Sequence, residues 1–416
     1  MSSDQNVPVG WDQARDVAYR AGAAAATGAE RIPLALADGR TLAEPLRALT
    51  DLPAFPTSSI DGWAVRGTGP WRPVGRVLAG GTPPPLAADG TCVEIATGAM
   101  VPENTIALVR IEDSATEADG RISGEPRHPL PVPDWRMPGE EAREGEELLP
   151  AGTAVDPAVI GVAATCGYEA LHVRPEPRAA LLVFGDELLT AGPPGGGRVR
   201  DSLGPQIPGW LRRLGATVET VTGPVKDTLA AHTEAIRAAL ETADLICTTG
   251  GTMHGPVDHL HPALAELGAE YLVNTVGVRP GFPMLLARIP GTDGRPRFLA
   301  GLPGNPQSAV IALISLVAPL LAGLAGRPLG DLPRVEAGTA VRGRGRDTHL
   351  ALARLDATGR VATPVGHVGS AMLRGLANAH GFLVVRPGGA VAPGDLVPFL
   401  PLPLLAGERP FTQERS

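Results

Sequence analysis

The rhythm of apolar and polar positions changes several times along this chain, and each change predicts a different architecture. Residues 10–25, GWDQARDVAYRAGAAA, are compatible with a helix, and residues 31–46, RIPLALADGRTLAEPL, alternate enough for a short strand and a turn. From Asp51 to about Asp134, short β-like runs (VGRVLAG, TCVEIAT, TIALVRIED, GRISGE) stand between Gly and Pro clusters at the spacing of a small β barrel or sandwich. Residues 143–173 centre on an apolar helix from Pro157 to Cys166, with Asp156 as N-cap and Pro157 at the first helical position.

Residues 176–326 carry another pattern. The continuous apolar run 178–185, RAALLVFG, predicts a strand buried on both faces. A helix over 204–214 stops at Gly215, and TVETVTG is a second strand. In 227–243, Leu229, Ile236, Leu240 and Ala243 fall on one helical face. DLICTTGG is a third strand, HLHPALAELG a helix and RFLAGLPGNP a fourth strand with its turn, followed by the apolar helix QSAVIALISLVAPLLAGLAG. Strands alternating with helices predict a parallel, doubly wound α/β sheet, which binds ligands outside the carboxyl ends of its strands. After Gly326 the texture is β again and rich in Gly, Val and Arg, which suits a small all-β C-terminal domain.

Composition narrows the class. The length of 416 residues suits about two to four domains, and 44 % hydrophobic with 19 % charged residues allows sizeable cores. A net charge of −8 without a basic stripe argues against nucleic acid as a partner. Cys92, Cys166 and Cys247 are too far apart for a zinc site or a disulfide framework, so a reducing compartment is expected. The N-terminus has no secretory pattern, and no apolar stretch reaches about 18 uninterrupted residues. These features predict a cytoplasmic protein without a membrane span.

Three Gly-bearing turns at strand ends are the candidate chemistry. FGDELLTAG puts Asp186 and Glu187 where a strand ends, as capping acids or as partners of a cation. TTGGTMHGPVDHL offers Gly250 and Gly251 as a backbone cradle for an oxyanion, with Asp258 near the next helix start. A metal reading of His254, Asp258, His259 and His261 is weaker, because His259 would point away from the face shared by His254 and Asp258. LPGNPQS lets Asn305 cap a helix that begins at Pro306, with Gly304 permitting close approach and Ser308 offering a hydroxyl. Together the three turns favour an anionic or nucleotide-like ligand. Elsewhere, Asp61 in FPTSSIDGWAVRG and Thr97 in ATGAMVP fit plain turn chemistry.

Taken together these segments resemble the molybdopterin molybdenumtransferase family, the molybdenum-insertion enzymes that include the gephyrin E-domain. The similarity is collinear through LPAFPTSSIDGWAVRG, IATGAMVP, WRMPGEE, GEELLPAGT, GDELL, DSLGPQIPGWLRRLGA, TTGGTMHGPVDHL, VRPGFP, GLPGNPQSA and VGSAMLRGLANAHGFLVV. The resemblance implies an elongated homodimer with four domains per subunit. These are a discontinuous N-terminal domain (1–50 and 137–175), an inserted β-rich domain (51–136), a molybdopterin-binding α/β domain (176–326) and a C-terminal β barrel (327–416). It implies cleavage of adenylylated molybdopterin to release AMP and insertion of molybdate, the metal substrate, into the dithiolene with Mg2+ as divalent cation. Glu187, Asp227 and Asp258 align with active-site carboxylates, Glu187 and Asp258 being the implied metal ligands. Asp61 and Thr97 align with residues contributed from the partner subunit. Arg136, Ser308 and Ser370 match substrate-contacting positions, as do Gly250, Gly251, Thr252, Arg279, Pro280, Gly281, Pro283, Gly304, Asn305 and Pro306. A molybdopterin adenylyltransferase and apo-molybdoenzymes are the implied protein partners.

The chain also departs from the family's pattern. Pro56 and Thr57 replace an Asp-Asn pair, Met253 stands at the loop serine, Arg279 and Phe282 at the two lysines of KPGKP, and Arg374 and Gly375 at a C-terminal serine pair. Losing an ammonium and a hydroxyl removes charge-assisted hydrogen bonds worth roughly 1.5–3 kcal/mol each. The departures leave a second reading open, a molybdopterin- or nucleotide-binding paralogue that serves as carrier or scaffold.

Overall fold

The run Arg178–Phe184, apolar at every position after the first, becomes an interior strand of a six-stranded sheet, as its two-sided burial requires. The computed structural model describes residues 7–26, 28–126, 134–253 and 258–405. They form two compact units, one built from residues up to 30, 39–43 and from 173 onward, the other from 31–38 and 44–172.

In the first unit the sheet order is 217–225, 178–184, 245–249, 296–302, 285–290, 270–273. The first four strands are parallel, as the alternation of strands and helices predicts, but Leu285–Pro290 runs antiparallel to Pro296–Leu302 and extends the sheet to Glu270–Val273. The sheet is therefore mixed at one edge. Pro280, Pro283 and three glycines obscure the strand signal between 268 and 285. Helices Leu203–Arg213, Leu229–Leu240, Leu260–Glu266 and Pro306–Leu324 flank the sheet. The last is 19 residues long and apolar enough to cross a membrane, yet 83 % of its most apolar window is buried inside the protein. It is a core helix, with one π turn at Leu313–Val317.

Helix Trp11–Ala25 buries Trp11, Ala14, Ala18 and Gly22 at helical spacing and packs against that core helix. Gly22 and Gly323 face each other so closely that a Cβ on either would strike the opposite backbone, at Leu320 O or Tyr19 O. Trp11 Nε1 donates to Ser315 Oγ at 2.9 Å within this contact.

The C-terminal strands close a barrel through the ring 348–355, 361–364, 334–337, 396–401, 381–385 and back to 348–355. Its core holds Ala353, Ala362, Leu383, Val385 and Phe399. Two strands from outside the all-β region join the same sheet: Val278 and Arg279 pair in parallel with Thr348 and His349, and Val9 and Gly10 with Val276 and Gly277.

In the second unit a four-stranded sheet runs in the order 72–77, 91–95, 62–66, 107–110. Alternation along 62–66 sends Ala64 to one small core with Val93 and Leu108, and Val65 to another with Trp71 and Cys92. The helix Pro157–Thr165 starts as expected, with Asp156 Oδ1 accepting the Val159 amide at 2.9 Å.

Candidate functional site

Three turns leave adjacent strands at their carboxyl ends in the first unit, and they meet around one cleft of about 680 Å3. Its lining includes Glu187 after Arg178–Phe184, Thr249 to Met253 and Asp258 after Leu245–Thr249, and Gly304 to Pro306 after Pro296–Leu302. This is the crevice expected of a sheet of this kind.

Gly250 and Gly251 adopt φ of +84° and +67°, a region costly for any residue with a Cβ. The Gly250 amide donates to Leu302 O at 2.9 Å and ties the second turn to the third. Helix Leu260–Glu266 opens well after these glycines, with Asp258 just ahead of its N-cap His259. In space, however, that helix start lies against the turn, since a Cβ placed on Gly251 would be 3.2 Å from the Leu260 Cβ and 3.9 Å from the Leu260 nitrogen. Loop amides and Thr252, 6 % exposed, are the groups at hand. Met253 is 58 % exposed.

The Asn305 expectation is corrected. It occupies the N-cap position of the helix from Pro306, but its side chain makes no capping bond. The carbonyl of Ser370 instead accepts the Gln307 amide at 2.9 Å and the Ser308 amide at 3.3 Å, leaving the Asn305 side chain to face the cleft. Sequence reading missed Asp201, whose Oδ1 accepts the amides of Leu203 and Gly204, both at 2.9 Å, at the cleft wall. A helix start two residues later was its signal.

A second cavity, about 820 Å3, shares Pro283, Pro303 and Asn305 with the first. It collects Arg279, Pro280, Gly281, Ser308 and Ser370 from the predicted set, beside Gln307, Arg342, Arg344 and His349, which the sequence reading left unassigned. The RGRGRD run from Arg342 to Asp347 was the available signal. Arg279 Nε donates to Asp347 Oδ2 at 2.7 Å, and its guanidinium lies over the Phe282 ring at 4.7 Å. Ser308 is 2 % exposed. Burial lowers the His349 pKa, against the hydrogen bond to the Arg342 carbonyl and with help from Arg344.

Asp227 lines neither cavity. Its Oδ2 accepts the Asp186 amide at 3.2 Å, one residue before Glu187. Asp61, Thr97 and Arg136 lie in the second unit, where the Thr97 amide donates to Asp61 Oδ1 at 2.7 Å. Arg136 is exposed on a two-residue strand paired with Thr57 and Ser58.

Among the described residues, no group of three His, Cys, Asp or Glu side chains is placed to hold a metal ion. His261 Nδ1 instead meets Tyr271 Oη at 2.7 Å, and His254 lies outside the described residues. Glu187 and Asp258 do share the cleft, which fits a cation that takes its remaining ligands from water and a phosphorylated ligand.

Comparison with known proteins covers both units. Residues 9–167 match the family described as MoeA N-terminal region (domain I and II), residues 180–323 a probable molybdopterin binding domain, and residues 334–402 the MoeA C-terminal region (domain IV). The molybdopterin molybdenumtransferase of Synechococcus elongatus is 32 % identical over 306 residues, 70 % of this chain and 74 % of the relative. That of Nostoc is 31 % identical over 315 residues, 73 % and 71 % of the two chains. That of Staphylococcus aureus is 28 % identical over 365 residues, 84 % and 85 %. A solved molybdopterin biosynthesis moea protein from Pyrococcus horikosii has the same fold, with a TM-score of 0.77 over 95 % of this chain and 99 % of that one, at 23 % identity.

Proposed function

The chain belongs to the molybdopterin molybdenumtransferase family, and from that premise we propose how its own residues perform molybdenum insertion. It is a transferase of molybdenum cofactor biosynthesis, acting on adenylylated molybdopterin and molybdate. The observation that carries the assignment of the site is the convergence of Glu187, Gly250–Thr252, Asp258 and Gly304–Pro306 on one cleft at the carboxyl ends of parallel strands.

In this reading the Gly250–Thr252 loop holds the phosphate through its amides. Glu187 and Asp258 would hold Mg2+, which would supply neutralisation of charge on the phosphoanhydride. Arg279, Ser308 and Ser370 line the adjoining cavity as the binding place of the oxyanionic molybdate, with Arg279 as its fixed cation. Asp61 and Thr97, already joined by a hydrogen bond, act together with Arg136 from a partner subunit. The site is then complete only in a homodimer, working in the cytoplasm with an adenylyltransferase upstream and apo-molybdoenzymes downstream.

The test is reconstitution. Purified protein with adenylylated molybdopterin, Mg2+ and molybdate should release AMP and activate an apo-molybdoenzyme. Glu187→Gln and Asp61→Asn should each be inactive, and mixing the two should restore part of the activity if each site draws on two subunits. No AMP release by the wild type would overturn the reading, and no recovery on mixing would overturn the shared site.

A further inference from the structure

Helix Leu229–Leu240 turns toward the core a face that includes a histidine. His232 is 1 % exposed, beside Ile236 at 0 %. Its ring lies flat on Phe184, centroids 3.8 Å apart and planes 14° apart, and meets the ring of His259 edge-on at 5.8 Å. Phe184 also lines the cleft. A leucine would fill such an apolar seat without penalty. The histidine brings two ring nitrogens that have no hydrogen-bond partner at bonding geometry among the described residues.

Asp227 Oδ1 stands 3.5 Å from Nε2. The other oxygen of that carboxylate already accepts the Asp186 amide. A line of contacts therefore runs from the buried ring through Asp227 to the turn that carries Glu187 into the cleft. Burial pushes the His232 pKa down and His259 adds to the lowering, against the pull of Asp227 and Asp186, so the ring is held toward its neutral form.

We propose that His232 is a positioning residue for Asp227. With its proton on Nε2 it donates to Oδ1 and fixes the carboxylate, so that Oδ2 holds the Asp186 amide and the Glu187 turn behind it. The kinetic part of this inference rests on the cleft being the transferase site; the structural part does not.

Two substitutions separate positioning from packing. His232→Leu keeps apolar volume and loses the donor, whereas His232→Gln sets an amide N–H near the place of Nε2. Positioning predicts that His232→Leu lowers kcat by about 10- to 100-fold with KM unchanged, as loss of a supporting hydrogen bond behind a reactive group does. It predicts that His232→Gln recovers most of that loss, and that His232→Leu adds little on an Asp227→Asn background. Packing alone predicts an active leucine variant and an impaired glutamine variant, and that outcome overturns the proposal. Ring-nitrogen NMR of the isotopically labelled wild type reads the same contact without turnover. A neutral Nε2–H tautomer that shifts in Asp227→Asn supports the proposal. An Nδ1–H tautomer or a charged ring at neutral pH overturns it, whether or not the protein releases AMP.

Discussion

Phe282→Lys probes the loop facing the larger cavity, and its effect changes sign with occupancy. In the free protein the Arg279 guanidinium lies 4.7 Å from the Phe282 ring centroid while its Nε is bonded to Asp347. The substitution removes a cation–π contact worth about 0.5–1 kcal/mol at an exposed site. It also sets an ammonium roughly 5 Å from the guanidinium, a repulsion of about 1–3 kcal/mol for an effective dielectric between about 80 and 20. The Arg279 side chain is 51 % exposed, which favours the lower end. The free variant should therefore be less stable by roughly 1–2 kcal/mol, a fall of a few degrees in Tm. A bound oxyanion between the two cations reverses the balance, because one more charge-assisted hydrogen bond contributes about 1.5–3 kcal/mol, or about 10- to 150-fold in affinity. Calorimetric titration with molybdate and thermal unfolding with and without it read both halves. A folded variant with unchanged affinity would show that position 282 no longer faces the anion, and an unchanged Tm in the free variant would refute the charge argument.

Three further outcomes follow from the packing. Gly323→Ala forces the Trp11–Ala25 and Pro306–Leu324 helices apart, since its Cβ would also lie 2.6 Å from the Ala23 amide, and should cost about 1–3 kcal/mol in urea unfolding. Burial pushes Cys247 up to about 12 and Cys92 to about 11, so a colourimetric thiol reagent at pH 8 should find both unreactive until the protein unfolds. His232, faced by Asp227, Asp186 and His259, has a folded pKa below its ordinary 6.5, so the unfolded chain binds the extra proton and stability falls as pH drops below 6.5 toward the folded value; His232→Leu should flatten that part of the stability–pH curve.

Much of the fold was legible because each element satisfies a local rule. The Arg178–Phe184 strand, apolar after its first residue, the Asp156–Pro157 helix start and the Gly215 stop each follow from residues that are neighbours in sequence. What escaped depends on partners far away. Leu285–Pro290 is a strand because Pro296–Leu302 is beside it, and the flanking Pro and Gly hide its rhythm. Asn305 looked like a cap because nothing local reveals that Ser370 supplies the acceptor instead. In the site, the acids Glu187 and Asp258 and the Gly250–Gly251 turn stood out by type and spacing. Asp201 and His232 did not, since a capping aspartate and a buried histidine look like ordinary polar residues until the fold shows their neighbours.

The sheet that joins Val9, Val276 and Thr348 also bears on how the protein is made. During synthesis Val9 and Gly10 are made long before their partners Val276 and Gly277. Val278 and Arg279 in turn have no partner until the ribosome has delivered Thr348 and His349. Non-local pairings of this kind form late and leave open edges in the meantime. Arg279 therefore gains its strand partner His349 and its bond to Asp347 only when the barrel strand exists, so a prematurely terminated chain carries an unpaired strand end. A product cut short before Thr348 is thereby open to aggregation or proteolysis through that bare edge.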